Sequence, residues 1–375
     1  MSGALGQADP VQTDAVAGYD ITLVTADGQE STLHCGAGTS VLTAAEQAGL
    51  VLKSACQGGG CGACSAVLTA GRVEMGDHDP DVIEVPEDEG GILLCSSFPR
   101  EDCRIELPYD AAKIVTAPPT RHDAEITGLH RVADGVMRVT LTLRPAEDGS
   151  SSADFESGQF FRVTVPDAGP GVVPGTSPSV VPGSEVRRAY SPANVANWDG
   201  ELEFFIRLLP GGAMSEYLSA HAGVGDVLTV SSADGEFVLA ENGLRPRWFL
   251  AGGTGLSPLL SMLRKMAEWG DPQPARLFFG VTRHGEVFAQ DEIAALAEIL
   301  PDFHAETVVW NADPAWTGPV GNPVEMAAAE LAMLDEMPDV YICGPPPMTD
   351  AAVAALTAAG VPTEQIHLER FSSSN

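Results

Sequence analysis

Residues 56–64 read Cys56-Gln57-Gly58-Gly59-Gly60-Cys61-Gly62-Ala63-Cys64, and a fourth thiol, Cys95, follows downstream. Three thiols at C-x4-C-x2-C spacing with a distant fourth form the plant-type pattern for a 2Fe-2S cluster. Thiolates converging on one small inorganic core need a tightly curled backbone. Glycine allows this, because it takes positive φ without penalty and lets amide N–H groups approach the sulfides. Structural zinc is the competing use, but zinc sites pair C-x2-C with a second such pair or with closely spaced histidines. Here the second half is the lone Cys95, and His78 has no histidine partner nearby. The spacing favours the cluster, with Cys56, Cys61, Cys64 and Cys95 as its ligands.

Working outward, Ile21–Thr25 and Ser31–Cys35 flank Asp27-Gly28 and read as a hairpin. Thr39-Ser40 caps an amphipathic helix over Val41–Gly49. Ser65–Leu68, Ile92–Cys95 and Arg104–Leu107 read as later strands, which makes 19–110 one small domain. Residues 1–18 lack periodicity and are expected to be disordered. Residues 111–122, with Ala117-Pro118-Pro119-Thr120, read as a linker. Cys35 and Cys103 are expected to pack as small apolar residues.

Over 123–242 short β runs recur at Ala124–Leu129, Gly135–Leu143, Gln159–Val165, Leu202–Ile206 and Val227–Ser231, which predicts an antiparallel barrel. A Pro/Gly/Ser/Val-rich insertion, Asp167–Glu185, reads as a surface loop. From 243 to 375 strands alternate with helices, beginning with Arg247–Ala251, Gly252-Gly253-Thr254-Gly255 and a helix over Leu259–Trp269. That rhythm predicts a parallel, doubly wound sheet.

Two glycine-bearing strand ends in this last region, Gly252–Gly255 and Cys343-Gly344-Pro345-Pro346, lie where open α/β sheets bind ligands. In the barrel, Arg188-Ala189-Tyr190-Ser191 offers a guanidinium for phosphate, a flat ring for stacking and a hydroxyl. Gly211-Gly212-Ala213-Met214-Ser215 opens a short helix, a second anion-friendly start. Taken singly, each of these motifs is also compatible with a plain strand, turn or cap.

Composition narrows the function classes. The 375 residues suggest two or three domains, and the net charge of −32 disfavours nucleic acid and anionic lipid as partners. No apolar run is long enough to span a bilayer, and Met1–Gly18 lacks the order of a signal peptide. Seven cysteines, an odd number with four in ligand spacing, do not read as a disulfide framework. A cytoplasmic protein is expected.

Together these segments resemble the ferredoxin–NADP reductase superfamily with a plant-type ferredoxin fused at the N-terminus, over nearly the whole chain after Tyr19. The resemblance implies an α+β and α/β multidomain fold: a β-grasp ferredoxin, a central antiparallel β-barrel flavin domain and a C-terminal parallel doubly wound nucleotide domain. It implies that Arg188 meets the flavin pyrophosphate, Tyr190 the isoalloxazine and Ser191 its N5 edge. Gly212, Ala213, Met214 and Ser215 would complete the phosphate site. Gly252, Gly253, Thr254 and Gly255, with Cys343, Gly344 and Pro345, would hold the nicotinamide nucleotide. Ser191, Cys343 and Phe371 are the implied residues at the reacting centre.

Within that group, Arg188–Asn194, Gly200–Arg207, Ile105–Tyr109 and Leu368-Glu369-Arg370-Phe371 are similar to reductase components of soluble methane monooxygenase and other multicomponent di-iron monooxygenases. The implied enzyme is an NADH:acceptor oxidoreductase, a monomer that passes electrons from NADH through FAD and the 2Fe-2S cluster to a di-iron hydroxylase. Thr282-Arg283-His284-Gly285-Glu286 offers both an acid and an arginine to a ribose site, so NADH rests on the resemblance. The rim at Gly58, Gly59 and Gly60 is the expected docking face for the acceptor. The alternatives are the reductase of an aromatic ring-hydroxylating dioxygenase or of a phenol or alkene monooxygenase, and, in another class, a non-catalytic electron carrier or redox sensor.

Overall fold

Alternate residues of Gly18–Val24 (β1) and Glu30–Gly36 (β2) are buried, and the strands pair antiparallel from Gly18↔Gly36 to Val24↔Glu30. The computed structural model describes residues 18–116, 120–145, 151–166, 186–241, 243–334 and 336–372. Of the disorder expected over 1–18, Gly18 instead begins β1, and residues 1–17, the proline pair of the linker and the insertion at 167–185 lie outside the described residues. Helix α1 (Val41–Gln47) starts at Ser40, whose hydroxyl accepts from the Thr43 amide. Then come β3 (Ser65–Ala70), β4 (Val73–Met75), β5 (Gly91–Leu93), β6 (Ser97–Pro99) and β7 (Cys103–Glu106). Five strands form a mixed sheet in the order β2-β1-β7-β3-β5, with β1 and β7 parallel. The short pair β4-β6 stands apart from it. Cys35 and Cys103 are buried in this core beside Ile21, Leu23 and Ile105.

The central unit is the expected antiparallel barrel, with one strand more than the sequence predicts. Its strands are β8 (Arg121–Ala133), β9 (Val136–Leu143), β10 (Phe161–Thr164), β11 (Arg187–Tyr190), β12 (Glu201–Arg207) and β13 (Val227–Ser231), in the order β11-β10-β13-β8-β9-β12. Register shifts at Ile126/Gly128 and Arg131/Ala133 bend the long β8–β9 pair. Helix α2 (Ala213–Ala220) follows β12. The added strand, β11, carries the Arg188 motif.

The third unit contains β14 (Arg247–Gly252), α3 (Leu256–Trp269), β15 (Ala275–Arg283), α4 (Gln290–Ile299), β16 (Phe303–Asn311), α5 (Pro323–Leu331), β17 (Asp339–Gly344), α6 (Pro346–Ala358) and β18 (Ile366–Arg370). All pairings are parallel, in the order β16-β15-β14-β17-β18. The strand order reverses between β14 and β17, the position where such sheets open a ligand crevice. Helix α3 begins earlier than expected, because Pro258 falls in its first turn, where a missing N–H costs nothing.

Candidate active site

The cluster loop is held from several sides. Gly62 has φ +78°, and a Cβ there would stand 2.5 Å from the Val82 carbonyl oxygen, so the loop packs directly on residues 80–83. Gln57 is also left-handed, at φ 53°. The four thiols fall into two pairs, Cys56 with Cys61 and Cys64 with Cys95. The Cys61 contact, aided by the Gly58 and Gly60 amides, holds Cys56 well below the ordinary thiol range; Gly58 N lies 3.3 Å from its sulfur. The same contact and burial push Cys61 up. Cys95 is lowered by Cys64, which rises in turn. Among the described residues no three His, Cys, Asp or Glu side chains are grouped to hold one metal ion. Two thiol pairs with amides aimed at sulfur fit a binuclear cluster with two ligands per iron, and fit a single tetrahedral zinc poorly.

The loop's inner edge faces a cleft of about 1950 Å³ shared by all three units. Cys56, Gly58, Gly59, Gly60 and Cys95 line it from the first unit; Arg188, Tyr190, Ser191, Gly212, Ala213, Met214 and Ser215 from the second. The third contributes Gly252, Gly253, Thr254, Pro345 and Phe371. Of the expected docking rim, Gly58 is exposed, whereas Gly59 is buried and Gly60 is covered by Ser372, and all three line the cleft.

Among the described residues no carboxylate pairs with Arg188, whose Nη1 donates to the Arg187 carbonyl at 3.0 Å. Burial draws its pKa down from the ordinary value. A part-buried guanidinium without a counter-ion, beside the uncapped start of α2, suits a pyrophosphate. Ser215 does not point its hydroxyl at that space: its Oγ accepts from Leu209 N at 2.8 Å and fixes the turn before the helix. Tyr190, its hydroxyl pushed up by burial, packs edge-on to Phe204 with centroids 6.3 Å apart. That leaves a ring in the cleft wall for a planar ligand.

At the switch point the two glycine-bearing strand ends pack on one another. A Cβ on Gly255 would lie 2.2 Å from the Cys343 carbonyl oxygen. Gly255, Cys343 and Gly344 sit one layer behind the cleft wall, and Cys343 is fully buried in the core among Phe249, Ala251 and Leu259. Cys343, expected at the reacting centre, stands directly behind the cleft wall, its thiol driven far up by burial. Phe371 lines the cleft, tied by its amide to the Gly344 oxygen at 2.8 Å.

Sequence reasoning passed over Glu369. β17–β18 register sets it beside Cys343, and Ser191 Oγ donates to its Oε2 at 3.4 Å. Burial lifts its pKa to about 8, so the carboxyl is protonated at neutral pH. The segment Leu368–Phe371 carried the signal, through its similarity rather than its chemistry. Glu286 is buried behind Thr282 and held ionised against burial by Arg283 and Arg207, at 2.9 and 3.1 Å.

Comparison with known proteins follows the same division. Family models match the 2Fe-2S iron-sulfur cluster binding domain over residues 24–100, the oxidoreductase FAD-binding domain over 160–239 and the oxidoreductase NAD-binding domain over 249–354. Methane monooxygenase component C of Methylosinus trichosporium is 36% identical over 84% of this chain and 87% of its own. The propane 2-monooxygenase reductase component of Mycolicibacterium goodii is 32% identical over 89% and 92%. The toluate 1,2-dioxygenase electron transfer component of Pseudomonas putida is 31% identical over 93% and 97%. Among solved structures, the Amycolatopsis cytochrome P450 reductase GcoB superposes with a TM-score of 0.69 at 26% identity, covering 95% of this chain and all (100%) of its own. The chain therefore belongs to the family of oxygenase reductase components in which a 2Fe-2S ferredoxin domain precedes FAD- and NAD-binding domains.

Proposed function

We propose that this chain oxidises NADH in the shared cleft and delivers single electrons, through the cluster at Cys56, Cys61, Cys64 and Cys95, to the di-iron hydroxylase of a methane- or alkane-type monooxygenase. The observation that carries the reading is one cleft walled by the cluster loop, the Arg188 motif and both nucleotide-binding strand ends. FAD, when bound, joins a two-electron donor to a one-electron acceptor. Residues 19–110 hold the cluster, 123–242 the flavin and 243–375 the nucleotide.

Arg188 and the first amides of α2 would hold the flavin pyrophosphate, and Tyr190 would offer its ring to the isoalloxazine. Gly252, Gly253 and Thr254 with Pro345 hold the nucleotide, while Gly255 and Gly344 keep the two loops close enough to do so. Phe371, lining the cleft, would shield the flavin from water. Burial keeps the Glu369 carboxyl protonated, and Ser191, which donates to its Oε2, would hold that group at the flavin edge. Arg283 is committed to Glu286 and not free for a 2′-phosphate, which supports NADH. No helix among the described residues is long and apolar enough to cross a membrane. We place the protein, as a monomer, in the cytoplasm.

Purified holoprotein should be red-brown and should reduce ferricyanide with NADH at far higher kcat/KM than with NADPH. A bare carrier or sensor would show no such turnover. Substrate oxidation with candidate hydroxylases then names the acceptor. Support of a ring-hydroxylating dioxygenase but of no di-iron hydroxylase would replace the monooxygenase assignment, a second reading favoured by the likeness to the toluate enzyme's electron transfer component.

A further inference from the structure

The last described residue of the C-terminal tail reaches the cluster loop. A Cβ placed on Gly60 would lie 2.6 Å from Ser372 Cβ and 2.9 Å from its Oγ, so the tail rests directly on the loop backbone. The Ser372 hydroxyl oxygen is fully buried, yet it makes no well-aligned hydrogen bond to the described protein atoms. Leaving such a group unpaired is costly, which is why buried hydroxyls nearly always have a partner. It lies against the Gly60 backbone, in the loop between Cys56 and Cys61. An orphan donor buried against the cluster loop has its natural acceptor in the sulfur of the loaded site. Ser372 also follows Phe371 directly, and Phe371 lines the cleft with its amide anchored to Gly344.

We propose that Ser372 is a positioning residue whose hydroxyl donates to the sulfur edge of the cluster at the Cys56–Cys61 loop, and that the adjoining Phe371 makes this contact respond to what occupies the nucleotide end of the cleft. The proposal rests on the cluster and nucleotide assignments above. Hydrogen bonds to sulfur are among the levers that set iron–sulfur potentials. A donor stabilises the reduced cluster, which carries the extra negative charge, more than the oxidised one. Its presence therefore raises the potential. A displacement of the Phe371 backbone to admit a nicotinamide would carry Ser372 with it, because one peptide bond joins them.

The test is an EPR-monitored redox titration of fully loaded holoprotein, with flavin and cluster content checked by absorbance. S372A should lower the cluster midpoint, shifting the reduced-to-oxidised ratio at fixed potential about tenfold, or about 59 mV for one electron. S372T, which keeps the hydroxyl, should stay near wild type. Adding NAD+ should shift the wild-type midpoint and leave S372A unmoved. Identical midpoints and EPR spectra for wild type and S372A would overturn the hydrogen bond. A nucleotide response of equal size in both proteins would overturn the coupling. Protein that takes up no cluster at all would instead sink the assignment of the four cysteines, an outcome visible before any titration begins.

Discussion

At the residue scale, Glu369 and Cys343 are neighbours with opposite parts. Burial raises the Glu369 carboxyl to about 8 from an ordinary 4.5. In the unfolded chain it ionises near the ordinary value, while in the folded protein it stays neutral well past neutrality. Its contribution to stability is thus fully present below about pH 4.5 and is lost progressively as pH rises to about 8. E369Q should remove that dependence, so calorimetry should find the Tm advantage of E369Q over wild type growing between pH 5 and pH 8. The rate of flavin reduction by NADH should fall above about pH 8 in wild type, as Oε2 loses its proton, and stay flat in E369Q. Parallel pH profiles would remove Glu369 from the proton inventory. Cys343 is fully buried in the core, so C343A should lower the unfolding free energy by about 1 kcal/mol and change kcat by less than about threefold. A hundredfold fall in kcat with an unchanged Tm would return Cys343 to the reacting centre. The four cluster cysteines were legible because their spacing is itself the chemical requirement. Glu369 was not, because its pKa and its contact with Ser191 exist only once β18 is laid beside β17.

At the element scale, legibility followed burial pattern. β14 is buried at every residue and ends on Gly252, so an apolar run followed by glycine announces a central parallel strand. β11 is four half-buried residues with two arginines, and β18 is half-buried throughout, so neither shows the alternation or the apolar run that marks a strand. β4 and β6 span three residues each, too short for any period to register. The turn between β14 and α3 carries the sharpest test at this scale. Gly255 cannot accept a side chain, because the added carbon would meet backbone at 2.2 Å and 2.9 Å, the Cys343 oxygen and the Gly344 nitrogen. G255A must part the ends of β14 and β17 by a fraction of an ångström, widening the switch point. The expected cost is about 1–3 kcal/mol in stability, with NADH KM raised about tenfold or more and flavin retained. Unchanged KM would mean that the spacing of the two strand ends does not set nucleotide affinity.

At the scale of the whole molecule, the cluster unit is tied to the barrel by polar contacts between residues far apart in sequence, whereas the barrel and nucleotide units share an apolar core. Glu46 and Arg187, 141 positions apart, meet as two parallel hydrogen bonds of 2.7 Å each. Arg162 donates to the Ser54 carbonyl at 2.6 Å, and Lys53 and Lys113 both reach Glu236. No periodicity in the sequence could have paired these groups, so the way the cluster loop borders the shared cleft was not legible in advance. The Glu46–Arg187 fork is part-buried and two-pronged, the geometry in which an ion pair is worth more than the small value of an exposed one. Reversing one partner places like charges against each other at the interface that holds the cluster loop to the cleft. E46R and R187E should each slow flavin-to-cluster electron transfer in stopped flow by about tenfold or more, since transfer depends on the two units staying docked. Small-angle scattering should show a larger radius of gyration in both variants. The double exchange, E46R with R187E, restores opposite charges and should recover most of the rate, because the two substitutions couple only through their contact. Flavin reduction by NADH should stay near wild type in E46R, as Glu46 belongs to the cluster unit. If the double exchange transfers electrons no faster than the single variants, the fork is a bystander, and docking of the cluster domain rests on Arg162 and Glu236.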